Sequence, residues 1–127
     1  MRLLSGIDIV DVDEVRKLLE NDGEAFIEGH FTDEEKKYCE SRKKMRHEHY
    51  AGRLAVKQAF LKALGRDGKS ISVGEIGITR ERGHAPELHL SEAAKAKTGI
   101  ESQDKIFVSL AHERKIAVGT VVIVKQT

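Results

Sequence analysis

The segment from His47 to Leu64, HEHYAGRLAVKQAFLKAL, is the part of this chain that most narrows what it can become. At about 100° per residue, Tyr50, Leu54 and Leu61 line one ridge of a helix, and Val56, Phe60 and Leu64 lie across another sector. Ala51, Ala55, Ala59 and Ala63 recur at every fourth position and occupy much of the remaining circumference. A helix apolar around most of its surface belongs inside, so the rest of the chain has to cover it. Four polar residues interrupt the pattern. Arg53 and Lys57 share one stripe, Gln58 and Lys62 another, and each pair is spaced i, i+4. Cations on such a helix need anions. By pattern alone the commoner outcome is a structural one, snorkelling or pairing with some of the 21 acidic side chains. The other reading is a wall in which Arg53, Lys57 and Lys62 meet phosphoryl oxygens.

The flanking segments supply the cover. Residues 3–10 (LLSGIDIV) read as a strand of mixed exposure that carries Asp8, and residues 12–20 as a short helix with Val12, Val15, Leu18 and Leu19 at helical spacing. Arg16 and Lys17 fall off that stripe. Thr32 followed by Glu35 has the capping-box pattern, so a helix is expected from Asp33 to about Lys43. Gly65 is placed to end the central helix. Residues 73–80 and 86–90 read as strands joined through the Gly83–Pro86 turn, and Ser91 caps a short helix that stops at Gly99. Ile106, Val108 and Leu110 alternate with Phe107, Ser109 and Ala111. After the polar tip at residues 112–115, a β-branched run from Ile116 to Val124 completes a hairpin. Early helices with late antiparallel strands define an α+β class.

At 127 residues the chain suits a single domain, 1–127, and no repeat or low-complexity linker divides it. The formal charge of +1 excludes a polycation built to coat nucleic acid, although the basic run from Arg42 to Arg46 remains as a local cluster without interleaved aromatics. Cys39 is the only cysteine, which fits a reducing compartment. The apolar N-terminal run is cut by Asp8, Asp11 and Asp13, so neither a signal peptide nor a membrane span is expected, and the expected location is cytoplasmic.

Two further residues stand out. Asp8 is a carboxylate inside an apolar strand, either solvent-facing at a sheet edge or paired, hydrogen-bonded or metal-bound. Substrate phosphates nearby would favour Mg²⁺ there. His112 follows a strand at the hairpin tip, where most histidines are simply exposed. The remaining histidines show no zinc spacing with Cys39, and no phosphate-binding Gly-rich loop or nucleophile elbow is present.

Taken in chain order, five segments resemble the small holo-acyl-carrier-protein synthases. They are residues 6–9 (GIDI), 31–35 (FTDEE), 51–65 (AGRLAVKQAFLKALG), 83–88 (GHAPEL) and 108–112 (VSLAH). The resemblance implies a 4′-phosphopantetheinyl transferase-like α+β fold, with helices packed on an antiparallel sheet and an expected homotrimer whose active sites lie between subunits. The implied activity moves 4′-phosphopantetheine from coenzyme A to a serine of an apo-acyl-carrier protein, for fatty-acid or polyketide synthesis. By the same resemblance Asp8 and Gln58 hold Mg²⁺, with Mn²⁺ as a substitute. Asp8, Gln58, Lys62 and His112 serve catalysis. Arg53, Lys57, Lys62, Gly83, Pro86 and His112 lie in or near the coenzyme A site, and Arg16 and Lys17 face an acidic carrier protein. One position departs from the family pattern, which reads Lys-Glu-Ala where this chain has Lys57-Gln58-Ala59. An amide offers a carbonyl oxygen but no charge and no basicity. That substitution opens an alternative, a catalytically weakened paralogue that binds coenzyme A or carrier protein.

Overall fold

The structure is a computed structural model that describes residues 1–126. A long strand, β1 (Arg2–Asp11), leads directly into α1 (Val12–His30), and α2 (Asp33–Ser41) follows after two residues. A single 3-10 turn at Lys43–Met45 then joins the central helix α3 (Arg46–Leu64). Beyond it come β2 (Ile76–Thr79), β3 (Glu87–Leu90), the short α4 (Glu92–Thr98), and the closing hairpin β4 (Lys105–His112) and β5 (Ile116–Lys125). Strands β1, β5 and β4 form an antiparallel sheet in that order, and β2 pairs only with β3. Among the described residues no helix is long and apolar enough to cross a membrane.

Local chemistry explains most of the boundaries. Thr32 Oγ1 accepts from the Glu35 amide and the Glu35 carboxylate accepts from Thr32 N, closing the expected capping box. Ser91 caps α4, and Gly99 ends it with φ 70°. Two expectations are corrected. The helix read over 12–20 continues to His30, as two pieces merged across a kink at Asp22, where φ is −149° and ψ 53°. Its second piece buries Phe26 and Ile27, whereas Leu18 points outward. The helix expected to reach Lys43 stops at Ser41, where the backbone tightens into the 3-10 turn.

Helix α3 crosses the three-stranded sheet diagonally, and small residues mark each crossing. Gly52 lies over β4, where a Cβ would stand 3.3 Å from Leu110 Cδ1 and 3.6 Å from His112 Cδ2. On β5, Gly119 passes so close that a methyl group there would collide with the backbone of Ala55 and Val56. On β1, a methyl at Gly6 would strike the carbonyl oxygen of Ala59. The alanines of α3 therefore meet glycines of the sheet, and Tyr50, Ala51, Ala55, Val56, Ala59 and Phe60 are fully buried. Burying each of the large side chains contributes about 1.5–3 kcal/mol. The helix separates two core clusters. One, toward α1 and α2, holds Val15, Phe26, Phe31 and Tyr50. The other, toward β2, α4 and the far end of the sheet, holds Phe60, Ile76, Ile78 and Ile123.

Gly119→Ala is therefore expected to destabilise the protein by at least ~3 kcal/mol, because the obstacle is backbone rather than a movable side chain. Gly23→Ala, in α1 with no atom within 4 Å of the added methyl, is expected to stabilise it by about 0.5 kcal/mol. Urea midpoints at an unchanged denaturant slope check both values.

Candidate active site

The diagonal path of α3 distributes its two polar stripes to opposite edges of the sheet. At the β1 edge, Asp8 lies on the strand face turned toward α3, paired in register with Gly119. Its Oδ1 accepts from Lys62 Nζ at 2.9 Å and from the Ile9 amide at 2.9 Å. Lys62 also donates to the Ile7 carbonyl at 3.2 Å and keeps more than half of its side chain in solvent. Gln58, one turn before Lys62 on the same stripe, is half-buried.

At the β4 edge a second group gathers. Arg53 is 3% exposed, and its guanidinium stacks 4.2 Å from the centroid of the Tyr38 ring. Arg42 approaches the same ring at 4.9 Å. The His49 ring meets Tyr38 at 5.4 Å and His112 at 4.9 Å, both edge-on. His112, read from sequence as part of a hairpin tip, is instead the last residue of β4 and turns inward against α3. Arg53 Nε and His112 Nδ1 are buried and find no hydrogen-bond partner among the described residues. An orphaned buried polar group costs about 1–3 kcal/mol. A phosphoryl group, rich in acceptor oxygens, is the ligand that relieves such donors and balances two arginines. Burial first, then His112, Arg53, Arg42 and Arg80, pushes the His49 imidazole down to about 4. Burial also lowers His112, with Glu48 opposing and Arg53 and Arg80 assisting.

The loop between β2 and β3 lies against this same edge. Gly83 adopts φ 81°, a left-handed conformation that suits glycine, and Arg80 Nε donates to the His84 carbonyl at 3.3 Å. Pro86 lines an open groove of about 560 Å³ together with His84, Leu88, Ile106 and Phe107. The structure thus collects Arg53, His112 and the loop carrying Gly83 and Pro86 at one edge, and Asp8, Gln58 and Lys62 at the other. Arg53 and Lys62 are nine positions apart on α3, roughly 14 Å along its axis.

Lys57 belongs to neither group, which corrects the reading of it as part of a phosphate wall. Its side chain is 0% exposed, and Nζ donates to Glu35 Oε1 at 2.5 Å and to the His30 carbonyl at 2.6 Å. The helix turns this ammonium inward, onto the start of α2, where it meets a carboxylate instead of solvent. Conversely, Tyr38, His49 and Arg80 were not singled out from sequence as site residues, and Arg42 was read only as part of a local basic run. His49 had a usable signal, since it precedes Arg53 by four residues on one stripe. Tyr38 and Arg80 reach the cluster only through packing of α2 and the β2–β3 loop.

The β1-edge residues offer a metal one carboxylate, already in contact with an ammonium, and one uncharged amide. Among the described residues no group of three or more His, Cys, Asp or Glu side chains converges. That donor set fits a hard cation whose coordination is completed by substrate phosphates and water, as Mg²⁺ commonly is, and does not fit a closed protein cage. At the helix thought to face a carrier protein, Arg16 is held by Asp13 at 2.5 Å and Glu20 at 3.0 Å, and Lys17 lies 3.5 Å from Asp13.

Comparison with known proteins gives a consistent picture. Residues 5–119 match the family model of the 4′-phosphopantetheinyl transferase superfamily. The holo-[acyl-carrier-protein] synthase of Ruminiclostridium cellulolyticum is 40% identical over 124 residues, covering 97% of this chain and 92% of that protein. Helicobacter pylori holo-[acyl-carrier-protein] synthase in complex with coenzyme A superposes with a TM-score of 0.77 at 26% identity, covering 94% of this chain and 99% of the other. The ACPS–CoA complex of Chronobacterium ammoniagenes shares the fold with a TM-score of 0.83 over 100% of both chains, at 23% identity.

Acid should expose the histidine cluster. Both imidazoles have folded pKa values below the unfolded value of about 6.5, so the unfolded chain binds more protons at mildly acidic pH. Their contribution is present above about pH 6.5 and is lost as pH falls toward 4, the His49 value. The expected melting temperature therefore drops across that window, and His49→Phe reduces the drop. Added phosphate offsets part of it by pairing with the protonated rings. Thermal melts from pH 7 to pH 4.5, with and without phosphate, check this.

Proposed function

The chain belongs to the 4′-phosphopantetheinyl transferase superfamily, and we infer from that membership that it is a holo-acyl-carrier-protein synthase. It transfers 4′-phosphopantetheine from coenzyme A to a serine hydroxyl of an apo-acyl-carrier protein. The observation that carries the reading from family to chemistry is the cationic cluster at the β4 edge, with its orphaned Arg53 Nε and His112 Nδ1. The relatives reported above bear the synthase's name over nearly their full length, which lends no support to a binding-only paralogue.

In this reading Arg53, Arg42 and His112 take a phosphate of the nucleotide end, with Pro86 and the Gly83 turn walling the groove beside it. Lys62 neutralises the diphosphate near Asp8. The carrier serine Oγ forms a bond to the phosphorus that bears pantetheine, and its proton passes to an Asp8 carboxylate oxygen. The bond from that phosphorus to the bridging diphosphate oxygen breaks. Its electron pair leaves with adenosine 3′,5′-bisphosphate, whose new charge Lys62 faces. Little covalent chemistry falls to the protein, so positioning and charge stabilisation dominate. A divalent cation held by Asp8 and Gln58 would supply Lewis-acid neutralisation of the diphosphate oxygens.

The two half-sites occupy opposite edges of one three-stranded sheet, with Arg53 and Lys62 roughly 14 Å apart along α3. The sheet face turned away from α3 is apolar and uncovered, with Leu3, Ile7, Ile9, Phe107 and Val122 exposed, Ile9 by 62% and Phe107 by 60%. Both features are explained by a cyclic homotrimer in which these faces meet. The β4 edge of one subunit then completes the β1 edge of the next. The carrier docks on α1, where Lys17 offers a freer charge than Arg16, whose guanidinium is shared between Asp13 and Glu20.

Incubation with coenzyme A, Mg²⁺ and apo-carrier should add the mass of phosphopantetheine to the carrier. Asp8→Ala should lower the rate about 10²–10³-fold. Gln58→Glu restores an anionic ligand and should move the Mg²⁺ midpoint of activity roughly tenfold lower, less if Lys62 quenches the new charge. An unmodified carrier with every metal tested would overturn the assignment, and an unchanged midpoint would remove residue 58 from the metal site. Separately, Phe107→Asp should convert trimer to monomer in light scattering and abolish most transfer. A fully active monomer would sink the shared-site arrangement.

A further inference from the structure

The contact between Glu35 and Lys57 ties together four elements of the fold. Both residues are almost wholly buried, Lys57 at 0% and Glu35 at 1% exposure. Glu35 Oε1 accepts from Lys57 Nζ and from the Thr32 amide, and its Oε2 accepts from the Ile78 amide at 3.0 Å. Lys57 also donates to the His30 carbonyl and stands 4.7 Å from the centroid of the Phe31 ring. One ion pair therefore joins the end of α1, the start of α2, the middle of α3 and strand β2.

The same two helix faces continue toward the cationic cluster. Tyr38 follows Glu35 by three residues on α2, and Arg53 precedes Lys57 by four on α3, so both lie one turn beyond the pair on the facing surfaces. There the Tyr38 ring covers the Arg53 guanidinium at 4.2 Å. Its other close neighbours are Arg42 and His49. Tyr38 can hold Arg53 flat only while α2 keeps its distance and rotation against α3. A buried ion pair with three further hydrogen bonds at the preceding turn fixes both.

We propose that the Glu35–Lys57 pair is a positioning device for anion recognition: it sets α2 against α3 so that Tyr38 orients Arg53, and Lys57 never meets the ligand itself. The proposal rests on the coenzyme A reading given above for the identity of the anion. It differs from a phosphate-wall role for Lys57 in a measurable way. A ligand acts directly, whereas a positioning residue acts through Tyr38.

The double variant Glu35→Gln/Lys57→Met removes both charges, keeps an amide oxygen for one of the Thr32 and Ile78 N–H groups, and leaves a side chain of similar length in the core. Its dissociation constant for adenosine 3′,5′-bisphosphate is compared with those of wild type, Tyr38→Leu and the triple variant. The pair variant and Tyr38→Leu are each expected to bind about tenfold more weakly, and the triple variant no worse than the weaker of the two within about twofold. The KM for coenzyme A should rise more than kcat falls. Unchanged affinity in the folded pair variant overturns the proposal, and so do losses that add in full, which would make Lys57 a ligand. Amine acylation of the wild-type protein with mass mapping gives an answer even if the pair variant does not fold. Lys57 should stay unlabelled with or without the bisphosphate, and labelling that the bisphosphate suppresses overturns the proposal. If wild type does not bind the bisphosphate, the coenzyme A reading fails. The Tyr38 ring-proton resonances of the ligand-free pair variant then decide the positioning alone, for it by shifting and against it by staying put.

Discussion

Helix α3 can lie on the sheet only because both surfaces are nearly bare of side chains where they cross. Gly52 over β4, Ala55 and Val56 over Gly119 of β5, and Ala59 over Gly6 of β1 let backbone approach backbone along one diagonal. Any rotation of the helix about its axis would drive larger side chains into those crossings. The approach therefore sets more than a packing distance. It decides that Arg53 and His49 emerge beside β4, that Gln58 and Lys62 emerge beside β1, and that Lys57 points into the protein.

That last consequence shows how charge and packing constrain one another. Arg53, Lys57 and Lys62 share one helix, and their fates differ because their surroundings differ. Lys62 reaches solvent and one carboxylate, so it remains available to a substrate. Lys57 is desolvated, and burial lowers its pKa while the Glu35 carboxylate opposes that fall. Leaving either partner of such a pair alone would cost several kcal/mol, roughly 3–5. Arg53 is equally buried but has a tyrosine face and two histidines around it in place of a carboxylate, and it keeps an unpaired donor. An arginine in that state is poised for an anion from outside. Cys39, on α2 beside Tyr38, is fully buried, and burial pushes its thiol up to about 12.

Much of the architecture was legible in the chain because its causes are local. The Thr32–Glu35 capping box, the Ser91 and Gly99 ends of α4 and the alternation of Ile106, Val108 and Leu110 all act over three or four residues, and each appears where the pattern places it. The extension of α1 to His30 was not legible. A kink at Asp22 breaks the apolar stripe, and Phe26 and Ile27 find their partners only in Phe31 and the rest of that core. In the candidate site, Asp8, Arg53, Gln58 and Lys62 were visible as polar exceptions in apolar elements, and His112 as a histidine following a strand, with its role given only by the resemblance. Tyr38 and Arg80 carried no such mark, because only the packing of α2 and of the β2–β3 loop brings them there.

By itself, the sequence determined where most helices and strands begin, which residues alternate in the closing hairpin, that α3 is buried, and which polar residues interrupt it. Those properties follow from periodicity and capping, which neighbouring residues decide among themselves. The tertiary structure alone decided which interruption is structural and which is open to a ligand. Arg53 and Lys57 sit on one stripe with the same formal charge, and no local rule separates them. The difference lies in what α2 brings to each: a carboxylate from Glu35 for one, the face of Tyr38 for the other, and the hydration each cation loses has to be replaced by whichever group is there.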